Sequence, residues 1–250
     1  MKWIKSFNLF EAKDYLGFEK YQEQTPEEIE ELIDSVKKFY NSIKKIDFRF
    51  YIDERVDRIM EINKFKKITE PRARALFDMK PFVRYEKEYD AYGGFILRYE
   101  AKGLANIGYD MYKMKSKKGT LYIVKGSKGE FTIYTQHFFD RYYQRIIDNS
   151  SKIPSEKFRE KAIISFIKTV MIQFLTKAVG GTITKGNQCL MPYKEGFGLG
   201  YVSNGNIFVK TFIDNEQAKE NQLNSIEDFF KYSNNEYLDY EPLKMKHKNK

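Results

Sequence analysis

The sequence predicts an α+β fold in which helices pack on an antiparallel β-meander, with an additional N-terminal α+β region. Apolar residues at helical spacing recur in separate stretches of the chain, and aromatic and β-branched runs bounded by glycine-rich turns fill the rest. A chain of 250 residues with 42% hydrophobic and 16% aromatic content can bury one sizeable core or two small ones.

The first predicted helix begins at a capping box. Thr25-Pro26-Glu27-Glu28 supplies an N-cap residue, a proline at the first helical position and an acidic residue at N3. Apolar residues then follow at helical spacing from Ile29 to Ile46. A second helix is predicted over residues 53–67, where apolar residues recur among many charges.

The stretch from residue 82 to residue 134 reads as antiparallel strands. Strands are predicted at residues 82–89, 95–99, 120–124 and 131–134, separated by glycine-containing turns. Glu86, Glu88 and Asp90 alternate, so on a strand they would share one face and could in principle hold Mg²⁺. Alternating polar residues more often form a solvated strand face. We therefore expect no metal site and no cofactor.

The C-terminal half is predicted to be a long helix followed by a meander. Ser155 caps the helix after Pro154, and Gly180-Gly181 ends it. Strands are predicted over residues 182–193, 198–203 and 206–213. Asn204-Gly205 between the last two is the favoured sequence of a two-residue hairpin turn.

The segment from Thr135 to Arg145 is the strongest candidate for a functional site. His137, Arg141 and Arg145 follow at four-residue spacing, which places them on one stripe of a helix. A proton-transfer group beside two permanent cations is what binding or cleaving a phosphodiester requires. The alternative interpretation is that arginines at this spacing form an ordinary solvated face.

Cysteine and histidine counts exclude several kinds of site. Cys189 is the single cysteine, so the chain has no internal disulfide and no cysteine-rich zinc site. His247 lies in a lysine-rich tail, which leaves His137 alone in the body of the chain and excludes zinc bound by several histidines. Cys189 itself is interpreted as a small buried apolar residue.

The charge balance favours a polyanionic partner. There are 44 Lys+Arg against 35 Asp+Glu, a net charge of +9, and nucleic acid is the commonest partner of such chains. Four of these charges lie in the C-terminal tail, at residues 244, 246, 248 and 250. The mean hydropathy of −0.63 and the lack of an 18-residue apolar run predict no transmembrane helix and no membrane partner. We expect the chain in the cytoplasm of a bacterial or phage-infected cell, or packaged in a virion.

One part of the chain resembles a known superfamily. The run from Phe131 to Arg145, then a helix, then Gly198 to Val202 and Ile207 to Phe212, resembles the barnase/EndoU/colicin/RelE-like ribonucleases. It looks most like the small bacterial and phage toxin-like branches, which have a Thr-x-His-x-x-x-Arg-x-x-x-Arg helix and a last strand ending in Thr. The resemblance covers about residues 131–213 and implies helices on an antiparallel sheet and RNA cleavage without a metal.

This resemblance suggests a division of the chain into three parts. Residues 1–128 would be an N-terminal α+β region of unknown role, and residues 129–222 the ribonuclease-like domain. Residues 223–250 would be an extension that ends in a basic tail expected to be disordered.

Roles for individual residues follow from the chemistry of RNA, whose 2′-hydroxyl is an internal nucleophile. His137, in the first helical turn after Thr135, would remain neutral and act as a base. Arg141 and Arg145 would contact the non-bridging phosphate oxygens, and Thr211 on the last strand could donate a further hydrogen bond. Lys210 could steer the RNA backbone, although strand alternation allows only one of residues 210 and 211 to line the site. Tyr142, Tyr143 or Tyr201 would stack on a base.

The expected function is therefore that of a metal-independent endoribonuclease that cleaves RNA through its 2′-hydroxyl. A non-catalytic nucleic-acid-binding protein, or a virion assembly protein of a phage, is the alternative. An active ribonuclease would also need an inhibitor protein as a partner, or delivery to another cell, because uncontrolled RNA cleavage harms the cell that makes it.

Overall fold

The structure is a computed structural model that describes residues 26–47, 81–100, 103–117, 119–149, 151–176, 183–185 and 188–214. Its helices are α1 (Pro26–Ser42), α2 (Gln136–Tyr142), which continues as a π-helical turn (Tyr143–Ile147), and α3 (Glu156–Thr176). The strands are β1 (Phe82–Glu86), β2 (Ala91–Glu100), β3 (Gly103–Ser116), β4 (Gly119–Lys125), β5 (Phe131–Thr135), β6 (Ile183–Lys185), β7 (Gln188–Tyr193), β8 (Gly196–Ser203) and β9 (Asn206–Asp214). The predicted helix over residues 53–67 lies outside the described residues.

The strands of both halves form one nine-stranded sheet in the order β1-β2-β3-β4-β5-β9-β8-β7-β6. Strands β1 to β5 form one antiparallel meander and β6 to β9 form a second. The two meanders meet where β5 and β9 pair in parallel. The α+β class is confirmed, with a largely antiparallel sheet of two meanders in place of the one meander predicted.

The predicted boundary between residues 128 and 129 does not separate two structural units. It falls in the turn between β4 and β5, which pair in register from Leu121 with Thr135 to Lys125 with Phe131. Because strands on both sides of the boundary belong to one sheet, the described residues form one domain across it. The predicted extension over residues 223–250 lies outside the described residues.

Side-chain hydrogen bonds hold both ends of the parallel pair. Near its start, the backbone N–H of Phe131 donates to Oδ1 of the buried Asn206 at 2.9 Å. At its end, Oγ1 of Thr135 donates to the backbone oxygen of Lys210 at 2.7 Å. Each buried bond of this kind contributes on the order of 1 kcal/mol, so hydrogen bonds as well as apolar contacts hold the two meanders together.

Helices cover both faces of the sheet. On one face α2 and α3 pack through an aromatic cluster whose rings meet mostly edge to face, including Phe138, Phe139, Tyr142, Phe166 and Phe212. On the other face α1 places Ile29, Ile33 and Val36 against residues of β4, β5 and β9. The cores on the two sides explain why β4 and β5 carry apolar residues at consecutive positions.

Helix α1 is four residues shorter than its apolar pattern predicts. It ends at Ser42, whose Oγ donates to the oxygen of Phe39 at 2.8 Å. Ile46 is buried but not helical, and its backbone N–H donates to the hydroxyl of Tyr112 at 2.9 Å. Helical spacing alone cannot distinguish a buried residue in a helix from one in the loop that follows it.

The longest strand was not predicted from the sequence, whereas the last hairpin was. Strand β3 contains two glycines, an asparagine and an aspartate and shows no clear alternation of apolar and polar residues. The turn at Asn204 and Gly205 is confirmed, with positive φ of 49° and 76° at the two positions, as a type I′ turn requires.

Among the described residues, no helix combines the length and apolarity needed to cross a bilayer.

Candidate nucleic-acid interface

The helix that carries the predicted site begins as the sequence indicates. Thr135 has extended backbone angles, and its Oγ1 accepts the backbone N–H of Phe138 at 3.1 Å, so it is the N-cap of α2. The same oxygen donates to the backbone of Lys210, which ties the helix start to β9. His137 therefore lies in the first turn at a fixed position beside β9.

The His137 imidazole is enclosed by protein and lies near two cations. Its Nε2 atom is excluded from solvent. Burial, followed by the charges of Arg145 and Lys210, lowers the pKa of His137 from 6.5 to about 4. Burial is the main cause of this shift, which favours the neutral ring at pH 7.

Arg145 is held by the protein itself. Its Nη1 donates to the backbone oxygen of Phe212, and its Nε lies 3.9 Å from Oδ2 of Asp214. The Arg145 and Asp214 side chains are only 16% and 7% exposed. Two of the directions in which this guanidinium could contact a phosphate are thus occupied by β9.

Arg141 is half-buried and contacts its own helix. Its Nη1 donates to Oε1 of Gln144 at 3.2 Å. The Gln144 amide in turn donates to the backbone oxygens of Ser151 and Lys152, both at 3.1 Å. These bonds connect Arg141 to the loop before α3, an arrangement that fixes the loop.

Lys210 lies at an irregularity in β9, directly before Thr211. Leu199 pairs with Thr211 and Gly200 pairs with Val209, so Lys210 is the extra residue of a bulge. Its ammonium is close enough to lower the pKa of His137, although Lys210 itself is only 7% exposed. Thr211 alternates with the core residue Phe212 and so faces the opposite side of the sheet. Of the two, Lys210 lies near the predicted site.

Of the three tyrosines proposed to stack on bases, Tyr143 is only 7% exposed, and the other two lie elsewhere. Tyr142 has no exposed surface, and its ring lies 5.5 Å from Phe166 and 5.1 Å from Phe212 between ring centroids. Burial raises the pKa of Tyr142 to about 12. Tyr201 packs beside the α1 core on the other face of the sheet from α2. A single bound strand cannot contact both of them and His137.

The three carboxylates considered for Mg²⁺ do not converge. Glu86 accepts from Nε of Arg84, Glu88 from Nζ of Lys44, and Asp90 from the hydroxyl of Tyr85. Only Glu86 lies in a strand, because residues 87–89 form a 3-10 turn and Asp90 is left-handed with φ of 45°. Within the described ranges, no group of three or more His, Cys, Asp or Glu side chains is placed to bind a metal ion.

The structure thus brings together three of the predicted site residues, His137, Arg145 and Lys210. We call these three residues the His137 cluster. Arg141 lies on the same helix and is directed to Gln144, whereas Thr211, Tyr142 and Tyr201 do not join the cluster. The residues that the sequence analysis missed include Asp214, which faces Arg145.

A second missed pair lies beside the predicted stripe. Oδ1 of Asp140 accepts from Nε of Arg159 at 2.6 Å, and both side chains are nearly buried. Burial raises the pKa of Asp140, and the Arg159 guanidinium opposes that shift. The pair joins α2 to α3 across 19 residues, and nothing in the local sequence signals a contact at that distance.

A row of exposed lysines lies on α3. Lys157, Lys161 and Lys168 are exposed and follow at spacings of four and seven residues, so they form one stripe. The opposite side of α3 is in the aromatic core. Glu156 is directed to Lys113, with 2.7 Å between Oε1 and Nζ, and Glu160 is half-buried near Tyr92. We call these three lysines the α3 lysine stripe.

An exposed aromatic ring adjoins the stripe. Phe158 is 43% exposed, and Nζ of Lys161 lies 5.4 Å from its ring centroid. A ring of this kind among cations is the arrangement with which proteins bind the bases and phosphates of single strands.

Comparison with known proteins found no family model that matches the chain, and no curated protein or solved structure that matches it.

Proposed function

We propose that this protein binds single-stranded nucleic acid through the α3 lysine stripe. One observation carries the proposal, namely that Lys157, Lys161 and Lys168 are exposed in one line on the outer side of a helix whose inner side is core. At ~1.5 Å rise per residue the stripe spans about 16 Å, enough to contact several phosphates of one strand.

Phosphate contacts of this kind have a measurable signature. Each lysine that neutralises a phosphate releases counterions when the protein binds. For single strands, each such contact therefore lowers the logarithm of the affinity by about 0.7 for every tenfold rise in salt concentration. The charge of +9 on the whole chain adds attraction that does not depend on any particular surface. A test must therefore separate the stripe from the net charge.

The test compares two triple variants of equal charge. Lys157→Gln/Lys161→Gln/Lys168→Gln removes the stripe, and Lys37→Gln/Lys38→Gln/Lys128→Gln removes three exposed lysines from α1 and the β4–β5 turn. Fluorescence anisotropy with a labelled single-stranded RNA would be measured across a salt series. We expect the stripe variant to bind at least ~10-fold more weakly and to lose about two units of salt slope. Equal weakening of both variants would contradict the proposal.

Metal-independent RNA cleavage at the His137 cluster is the second candidate function. The observation that favours it is a neutral imidazole flanked by two cations, the protonation state that a general base needs. Binding is the better-supported function, because a pKa near 4 makes a weak base and Arg145 already bonds to β9. The geometry leaves little of the cluster accessible to RNA.

Cleavage has its own test. If His137 is the base, RNA is cut in the presence of EDTA and leaves a 2′,3′-cyclic phosphate, and His137→Gln lowers the rate by about 10²–10⁴. The stripe variant provides the comparison, since it should slow cleavage only through weaker binding. A cleavage rate that His137→Gln leaves unchanged would remove this candidate.

A further inference from the structure

Three large apolar side chains are exposed in the segment that runs from the end of the helix of residues 136–147 to the first turn of α3. Ile153 is 78% exposed, and Ile147 and Phe158 are each 43% exposed. The ring of Phe158 lies 5.7 Å from that of Tyr143, which precedes Ile147 by one helical turn. We call these three side chains the 147–158 patch. Groups of exposed apolar residues mark binding surfaces more often than single ones.

The surroundings of the patch define the chemistry of its occupant. Lys152, Lys157 and Lys161 are exposed in the same segment and outnumber its exposed acidic residues, Asp148 and Glu156, so the excess charge favours an occupant with negative charge. The two isoleucines have no flat ring on which a base could stack, so a nucleic acid leaves them uncovered. An acidic segment with apolar side chains fits both the isoleucines and the lysines.

The described part of the chain ends close to this patch. Oδ2 of Asp214, the last residue of β9, lies 3.9 Å from Nε of Arg145, and Arg145 is two residues before Ile147. The eight residues 215–222 can span up to about 27 Å at ~3.4 Å each. The segment that begins at Leu223 can therefore reach the patch without rearrangement of β9.

The sequence of that segment has the required chemistry. Leu223, Ile226, Phe229 and Phe230 supply apolar side chains, with Glu227 and Asp228 between them. Residues 215–241 contain seven Asp or Glu and two Lys, a net charge of −5, which is opposite in sign to the excess of exposed lysines beside the patch. We propose that residues 223–232 dock on the 147–158 patch of the same chain.

Docking extends beyond the proposed function, because it concerns a contact within the chain and is tested without RNA. It also has a consequence for that function. The docked segment places acidic residues next to Lys157 and Lys161, so it competes with RNA for the α3 lysine stripe. A docked segment would therefore lower the affinity of the protein for RNA.

A cross-linking experiment tests the contact in the full-length chain. In a Cys189→Ser background, Ile153→Cys is combined with Phe229→Cys and treated with a bismaleimide of about 10 Å. The control pairs Phe229→Cys with Ser35→Cys, an exposed position on α1. We expect a cross-link within one chain at least ten times faster for the first pair. Equal rates, or a product that joins two chains, would overturn the proposal.

Hydrogen exchange provides a second readout that needs no cysteine. Docking predicts that backbone amides of residues 223–232 exchange at least ten times more slowly than the rates of an unstructured peptide. Ile153→Asp should abolish that protection, and the control Ser35→Asp should leave it unchanged. Protection that persists in Ile153→Asp, or exchange at unstructured rates in the unmodified protein, would refute docking.

Discussion

The His137 cluster and the α3 lysine stripe are two sets of basic residues with opposite surroundings. Arg145 and Lys210 are largely buried, and Arg145 bonds to the backbone of β9 and faces Asp214. The lysines of the stripe are exposed and lie on the outer side of their helix. The difference shows that the spacing of cations along a helix does not reveal their role, whereas their acceptors and exposure do.

The sharpest test of this comparison uses two cations on the same helix. Arg159 is paired with the nearly buried Asp140, and Lys161 is exposed two residues later. We expect Arg159→Ala to lower the free energy of unfolding by about 3–5 kcal/mol, because it leaves a buried carboxylate without its cation. Lys161→Ala should change it by less than about 0.5 kcal/mol. Urea denaturation of both variants measures the difference.

RNA binding should show the reverse order for the same pair. Lys161→Ala is expected to weaken RNA binding, and Arg159→Ala to leave the affinity of the folded protein unchanged. If Arg159→Ala weakened binding by as much as Lys161→Ala, the distinction between buried and exposed cations would fail.

The next largest effect concerns the pH dependence of His137. The unfolded chain binds a proton at this residue below pH 6.5, whereas the folded chain binds it only below about pH 4. The contribution of His137 to the free energy of unfolding is therefore fully present above pH 6.5. It is lost as the pH falls towards 4, by about 2–3 kcal/mol at pH 4.5. Urea denaturation at pH 7 and 4.5 should show this loss in the unmodified protein and not in His137→Gln. Equal losses in the two proteins would show that a group other than His137 titrates in this pH range.

A smaller effect is expected at the start of α2. Thr135→Val keeps the shape of the side chain but removes the oxygen that accepts from Phe138 and donates to Lys210. We expect a loss of about 1–2 kcal/mol, the usual range for an N-cap. Thr135→Ser should retain most of the stability because it keeps that oxygen. A Ser variant as unstable as the Val variant would show that the methyl group and not the oxygen is required.

Much of the local structure could be predicted from the sequence. Helix α1, the cap at Thr135, the long helix α3 and the Asn204-Gly205 turn all depend on residues close together in the chain. Strand β3 could not be predicted, because its glycines and charges break the alternation that indicates a half-buried strand. The parallel pairing of β5 with β9 joins residues about 75 apart, and no local pattern signals it.

The candidate site was predicted less well, for three physical reasons. Spacing placed Tyr142 beside the stripe, but the core on both α2 and α3 encloses it. The bulge at Lys210 changes which residues of β9 face α2, and strict alternation cannot anticipate it. The π-helical turn of residues 143–147 widens the helix, so Arg145 is not where α-helical spacing would put it.

The order of synthesis gives the parallel strand pair a consequence for folding in the cell. Strand β5 leaves the ribosome with one edge uncovered, and its partner β9 is made only after about 70 further residues. Until then the nascent first meander presents a bare hydrogen-bonding edge flanked by apolar side chains, which is a template for misassociation. Chains stalled or truncated before β9 should therefore be the aggregation-prone species of this protein.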